Sequence, residues 1–267
     1  MEYEFLLCDR VGDCLVVTLN RPDRLNSLSY GLVRDLDDCA DAIAADKTLR
    51  SVLLTGAGRG FCSGADLAGN DLAAAGGETV GQSIARGMRE RFNPMILKWT
   101  SLPVPLVVAV NGVAAGAGVS LALAGDITIA ARSATFILVF APKLGLVPDV
   151  GATYFLPSRI GTARARALSM TGEPIPAEHA AGMGLIAACA DDANLMEQAS
   201  ATAASLAIGP TQAFIEVRRI IEHGARSNLA EQLEMEADVQ GRLGDTRDFI
   251  EGVAAFREKR AARFSGR

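Results

Sequence analysis

Two runs of glycine and alanine, each fed by an apolar β-type segment, constrain this chain more than any other feature. The first is Thr55-Gly56-Ala57-Gly58-Arg59-Gly60-Phe61-Cys62-Ser63-Gly64-Ala65-Asp66-Leu67, which continues from Ser51–Thr55. The second is Val110-Asn111-Gly112-Val113-Ala114-Ala115-Gly116-Ala117-Gly118-Val119-Ser120-Leu121, which follows Pro105–Val110 and runs into a helix reaching Ala124. Glycine at this density means positive φ, or an approach to the backbone that a Cβ would block. Taken singly, a tight turn accounts for the first run and close helix packing for the second. The first is not a dinucleotide fingerprint. G-x-G-x-x-G needs its third glycine where Phe61 stands, and no long helix opens there. Two such loops, each after a strand, can offer a pair of backbone N–H groups to one anionic oxygen, which is the requirement of an oxyanion hole.

The remaining pattern is α/β. Phe5–Asp9 and Cys14–Leu19 read as a hairpin turning at Gly12-Asp13, and Ile127–Ala131 and Phe136–Phe140 as later strands. Tyr30–Ala45 repeats apolar residues at Leu32, Leu36, Ala40 and Ile43, with Ser29 as N-cap. Val80–Leu102 carries Ile84, Met88, Phe92, Met95, Ile96 and Trp99 on one stripe. Alternating elements with short connections predict an α/β body. After about Asp192 only helical patterns remain: Asn194–Ala207, Thr211–Glu222, Leu229–Leu243 and Thr246–Arg260. Residues 1–195 are therefore expected to form the body. Residues 196–267 are expected to form a helical oligomerisation region, since helices with little sheet to cover often bury a face on a second subunit.

Composition narrows the function classes. With 267 residues, 49% of them hydrophobic, the chain can bury a sizeable core. A net charge of −5, spread along the chain, argues against nucleic-acid or membrane-surface binding. Cys8, Cys14, Cys39, Cys62 and Cys189 form no C-x-x-C pair, and His179 and His223 stand alone, so no metal-site spacing exists. Free thiols, no basic-then-apolar leader and no uninterrupted run of 18 apolar residues predict a cytoplasmic protein.

Two further segments carry candidate chemistry. Asp149 is the only acid between Asp126 and Glu173, and it follows a proline and precedes a helical pattern, as an N-cap would. Lys143 in the same loop reads as a solvated side chain. The turn Asn20-Arg21-Pro22-Asp23-Arg24-Leu25-Asn26 places two arginines where planar bidentate contacts to phosphate are feasible, although a solvated turn explains them equally.

Together, LNRPDRLNSLS, TGAGRGFCSGADL, AVNGVAAGAGVSLALAGDI, LGLVPDVGATYFLP and DFIEGVAAFREKR resemble the enoyl-CoA hydratase/isomerase family, the crotonase superfamily, through nearly the whole chain. Within it, the P-D-x-G segment resembles the isomerase branch, and RFNPMILKWTSLPVPLVVAVNGVAAGAG and PDVGATYFLPSRIG resemble its 1,2-epoxyphenylacetyl-CoA isomerase-like members. The resemblance implies a spiral of ββα turns followed by a helical trimerisation region, in trimers or dimers of trimers. It implies an acyl-CoA thioester substrate, with coenzyme A as part of the substrate and no metal or redox cofactor. It places the oxyanion donors on the N–H groups of Ala65 and Ala117, and the acid/base on Asp149. Coenzyme A would follow Arg24, Leu25 and Asn26 and the loop Ser63, Ala65, Asp66 and Leu67, with Lys259 near its phosphates and Phe256 lining the same area. Residues 68–98 would wall the acyl pocket. The two glutamates of the family's hydratases would fall on Ser120 and Ala141, and neither can act as a carboxylate base. An isomerase is therefore expected first, a hydratase-like lyase drawing on Asp66 or an acid in Asp71–Arg91 second, and a non-catalytic acyl-CoA binder third.

Overall fold

The computed structural model describes residues 2–67 and 77–267. In chain order, β1 (Leu6–Val11) and β2 (Cys14–Leu19) form the expected hairpin, and α1 (Tyr30–Ala45) follows. Next come β3 (Ser51–Gly56), β4 (Gly60–Cys62), α2 (Val80–Gly87), α3 (Asn93–Thr100), β5 (Leu106–Val110), β6 (Val113–Ala115) and α4 (Ala117–Leu123). The body closes with β7 (Ile127–Ala131), β8 (Thr135–Ile137), α5 (Ala152–Thr171), β9 (Ile175–Pro176), α6 (Ala177–Gly182) and β10 (Ala188–Ala190). Four helices end the chain: α7 (Leu195–Ala207), α8 (Thr211–Gly224), α9 (Leu229–Gly244) and α10 (Arg247–Glu258).

The strands divide into two sheets. One runs β1-β2-β3-β5-β7-β10, parallel apart from the first pair, and the other runs β4-β6-β8-β9. Successive pairs β3/β4, β5/β6 and β7/β8 each send one strand to each sheet before the chain returns through helices. That is the ββα spiral the resemblance implied. The larger sheet is covered by α7, whose Ala199, Ala203 and Ala207 are buried and let helix and sheet approach closely. Strands β3 and β5 are buried along their full length, as parallel strands covered on both faces must be.

Local signals held where they were strong. The Ser29 side chain accepts from the Leu32 N–H at 3.2 Å and caps α1 as expected. The predicted helix over Val80–Leu102 differs: it is α2 and α3 joined by a π-helical turn at Met88–Phe92, where the Asn93 N–H donates to the Met88 carbonyl. Pro94, in the first turn of α3, has no N–H to give and crowds the carbonyl four residues back, so the backbone widens immediately before it. A second correction concerns Phe136–Phe140. The strand stops at Ile137, and Phe140–Leu144, which contains Pro142, forms another π-helical turn. The antiparallel partner of β8 supplies only two residues, Thr135↔Pro176 and Phe136↔Ile175, so pairing does not carry the strand further. Strands β4 and β6 lie inside the glycine loops and escaped a reading by periodicity. The segment 68–76 lies outside the described residues.

The close contact of the two glycine loops depends on missing side chains. A Cβ on Gly118 would strike the Cys62 carbonyl, and one on Gly112 the Arg59 carbonyl. At the far end, Arg218 on α8 binds both carboxylate oxygens of Asp126 at 2.6 Å and donates to the carbonyls of Thr100, Leu102 and Val104, which fastens the terminal helices to the body. Gly118→Val should lower the unfolding free energy by at least about 2 kcal/mol, because a backbone carbonyl cannot rotate away as a flexible side chain can. Urea unfolding with an unchanged denaturant slope checks this; parental stability would show that the loops can separate without cost.

Candidate active site

The two loops and the Arg24–Asn26 turn form one hydrogen-bonded assembly. The Ser63 N–H donates to the Leu25 carbonyl at 3.0 Å, and the Ser63 hydroxyl to the Arg24 carbonyl at 3.3 Å. Leu25 and Asn26 both take positive φ, 49° and 54°. Asn26 is wholly buried. Its Oδ1 accepts from the Arg21 N–H, and its Nδ2 donates to the carbonyls of Ala57 and Gly60 at 2.9 and 2.8 Å. Its amide therefore latches the turn to the first glycine loop, with both Nδ2 protons used and the side chain wholly buried. Arg21 is also spent. It pairs with Asp66 at 2.9 Å, donates to the Ser27 carbonyl and lies over the Phe5 ring. Of the two arginines in this turn, Arg24 is the exposed one.

This assembly orients Ala65. Leu28 makes a single parallel bridge to it: the Leu28 N–H donates to the Gly64 carbonyl at 2.8 Å, and the Leu28 carbonyl accepts from the Asp66 N–H at 3.1 Å. In such a bridge the flanked residue turns its own N–H to the opposite side. Ala117 is the first residue of α4, so its N–H has no carbonyl one turn back to bind. Among the described residues neither N–H has an acceptor. The residues meet closely, because a Cβ built on Gly64 would lie 2.8 Å from the Ala115 carbonyl oxygen and 3.3 Å from the Ala117 nitrogen.

Ala65, Ala117 and Asp149 line one cavity. Its walls are otherwise mainly apolar: Leu28, Tyr30, Ile84, Met88, Phe92, Phe140, Leu144, Leu146 and Val150. Both π-helical turns contribute, through Met88 and Phe92 and through Phe140 and Leu144. Asp66 also borders it, but its carboxylate is tied to Arg21, with side-chain exposures of 12% and 16%. Asp149 differs. Its Oδ1 is buried with no hydrogen-bond partner among the described residues, and burial pushes its carboxyl up to about 6. It is not the N-cap of α5; Gly151, at φ 90°, occupies that position, and the Asp149 carbonyl accepts from the Ala152 N–H instead. Between them Val150 sits at φ 49°, a conformation that strains a β-branched residue.

The family model described as "Enoyl-CoA hydratase/isomerase" matches residues 10–267. The chain belongs to the enoyl-CoA hydratase/isomerase family. It is 42% identical over 265 residues to the 1,2-epoxyphenylacetyl-CoA isomerase of Escherichia coli K12, covering 99% of both chains. It is 43% identical over 267 residues to a Rhodobacter capsulatus protein named probable enoyl-CoA hydratase, covering 100% of both. Among solved structures, the enoyl-CoA hydratase of Bacillus anthracis superposes with a TM-score of 0.89 at 32% identity, over 99% of this chain and 100% of that one. The chain is therefore an enzyme of the acyl-CoA isomerase/hydratase class, and its α/β spiral is the family's fold.

Seen from this family, the other site candidates sort by position. Ser63 is half-buried and serves the turn, while Leu67 is exposed at the cavity edge. Phe256 and Lys259 do not line the cavity in this chain. Phe256, 85% exposed on α10, borders a separate groove with Phe249 and Phe264, and Lys259 ends that helix at φ 55°. Of the expected acyl wall at 68–98, Ile84, Gly87, Met88 and Phe92 line the cavity, and 68–76 lie outside the described residues. Sequence reasoning did not single out Tyr30, which reaches the cavity from the first position of α1, over which Arg91 stacks at 4.4 Å. Its only signal was an aromatic directly after the Ser29 cap.

The Asp149 carboxyl has a consequence for stability. The folded protein keeps this proton up to about pH 6, whereas the unfolded chain releases it near 4. The native state thus binds the extra proton between those values, and stability falls as pH rises through them and stays lowered above. Asp149→Asn should be more stable than the parent at pH 8 by up to about 3 kcal/mol, with the difference fading toward pH 3. Urea unfolding at both pH values measures it, and an Asn variant weaker than the parent at pH 8 would mean that the carboxylate is stabilised in the fold.

Proposed function

We propose that the protein is an acyl-CoA isomerase that shifts a double bond, or opens an epoxide, through a thioester enolate. The carrying observation is that Ala65 and Ala117, whose backbone N–H groups have no acceptor among the described residues, line a single apolar cavity with Asp149, whose Oδ1 has no hydrogen-bond partner among them. The thioester carbonyl oxygen binds between the N–H groups of Ala65 and Ala117. Negative charge grows on that oxygen as a proton leaves a carbon next to, or conjugated with, the carbonyl. Donors held in place by the fold stabilise that charge without reorganising. Asp149 takes the proton from one carbon and returns it to another. A carboxyl near 6 is matched to that task, being ionised at neutral pH yet basic enough to accept the proton.

A 1,3-proton shift needs one acid/base, whereas hydration needs a second group to position water. The positions where two glutamates would serve hydration hold Ser120 and Ala141, and Asp66 is paired with Arg21. These facts favour isomerisation over the hydratase name carried by the R. capsulatus relative. The aromatic and aliphatic walls suit an apolar acyl group, and the E. coli relative's name supports an aromatic-derived one. Coenzyme A enters as part of the substrate, along the Arg24–Asn26 turn and the Ser63–Leu67 loop.

The oligomer belongs to the same reading. Ile208, Val217, Ile221, Leu229, Leu233, Ile250 and Phe256 are all more than half exposed and all lie in or between the last four helices. Apolar faces of that extent favour burial against further copies, as a trimer or dimer of trimers. Lys259 and Phe256 would then reach coenzyme A from a neighbouring subunit. Light scattering should return three or six chains per particle; a monomer would remove this part of the reading.

Asp149→Asn tests the chemistry. It should cut the interconversion of 2-enoyl- and 3-enoyl-CoA by at least about 1000-fold while binding of the thioester changes little. Retained full turnover would remove Asp149 from the mechanism, and steady loss of the conjugated thioester absorbance of crotonyl-CoA to a hydrated product would favour a hydratase. Ala117→Pro deletes one donor, and should cost about 100- to 1000-fold in rate provided that the unfolding midpoint is kept.

A further inference from the structure

We infer that Ser120 is a positioning residue for the reaction: its hydroxyl holds the Asp149 turn in the strained shape that leaves Asp149 Oδ1 without a partner among the described residues at the cavity. The inference rests on the reading of Asp149 as the acid/base. Ser120 is wholly buried, and its Oγ donates to the Asp149 main-chain carbonyl at 2.8 Å, an ordinary O–H···O length. A hydroxyl has one proton to donate, and this one goes across the fold to a residue 29 positions away.

The turn that receives it needs an outside restraint. Val150 at φ 49° and Gly151 at φ 90° follow Asp149 directly, and positive φ at a β-branched residue persists only where the surroundings over-determine it. The other bond to the Asp149 carbonyl, from the Ala152 N–H at 2.9 Å, comes from within the turn itself. The Ser120 bond comes from α4, every residue of which is buried. Ser120 stands three residues after Ala117, one helical turn along the same face. One packed helix thus sets both ends of the proposed reaction: Ala117 at the oxygen and, through Ser120, Asp149 at the carbon.

Loosening this bond leaves the Asp149 carbonyl with a single partner and frees the turn to relax. The carboxyl would then gain solvent and return toward its ordinary acidity. Such a change falls on the chemical step and on its pH dependence rather than on substrate binding.

The test uses Ser120→Ala and Ser120→Cys, the second of which fills the volume but donates poorly. Isomerisation of a 3-enoyl-CoA is followed as a function of pH, together with KM and the unfolding midpoint. In each folded variant kcat should fall 10- to 100-fold with KM within threefold, and the acid limb of the kcat profile should move down by half a pH unit or more. In an Asp149→Asn background, Ser120→Ala should cause no further loss. The inference is overturned if kcat and the acid limb stay at parental values in either folded variant. It is equally overturned if Ser120→Ala costs as much in the Asn background as in the parent. If Ser120→Ala fails to fold, Ser120→Cys decides alone. Loss of activity in Asp149→Asn with unaltered Ser120 variants would reject this inference only, whereas full activity in Asp149→Asn would reject the acid/base reading beneath it.

Discussion

The contact between two backbones is the constraint on which this structure depends. The Cys62 carbonyl lies where a Cβ at residue 118 would stand, and Gly64 lies against Ala115 and Ala117 with no side chain between. Only residues without a Cβ tolerate such an approach. Everything at the site follows from it. The loops bring Ala65 and Ala117, the proposed oxyanion donors, to one cavity, and the pairing of β4 with β6 joins the two loops. Main-chain donors cannot be repositioned by rotamer changes, which suits the proposed role of meeting a developing charge without reorganising.

Around that contact, polar groups divide by whether the fold has already used them. Asn26, Arg21 and Asp66 are conspicuous in sequence, yet each spends its hydrogen-bonding capacity on the protein. Asp149 shows the reverse, being half-buried, unpartnered at Oδ1 among the described residues and raised in pKa. Holding it so costs stability, through desolvation and through the positive φ of Val150. Local destabilisation of this kind is typical of a group kept ready for proton transfer.

Much of this was legible before any coordinates. The α1 boundaries and cap, the β1–β2 hairpin and the four terminal helices followed from period and capping, because each is specified by residues near one another in the chain. The motifs that carry the family resemblance are themselves local. The misreadings share an opposite cause. Strands β4 and β6 are three residues long and glycine- or alanine-rich, so they exist through their ladders rather than their propensity. The widened turns at Met88–Phe92 and Phe140–Leu144 depend on how neighbouring prolines are accommodated in a packed setting.

The sequence by itself determined which chemistry was available: small residues at two loops, a lone acid after a proline, and helices with an apolar face to spare. Tertiary structure decided which of those groups remained free to act. Asp66 and Asp149 are the same side chain, and nothing in their immediate neighbours says that one meets an arginine 45 residues away while the other meets none among the described residues. Hydrogen-bond partners across the fold set that difference, and burial, a property of the whole packed chain, converts it into a shifted pKa.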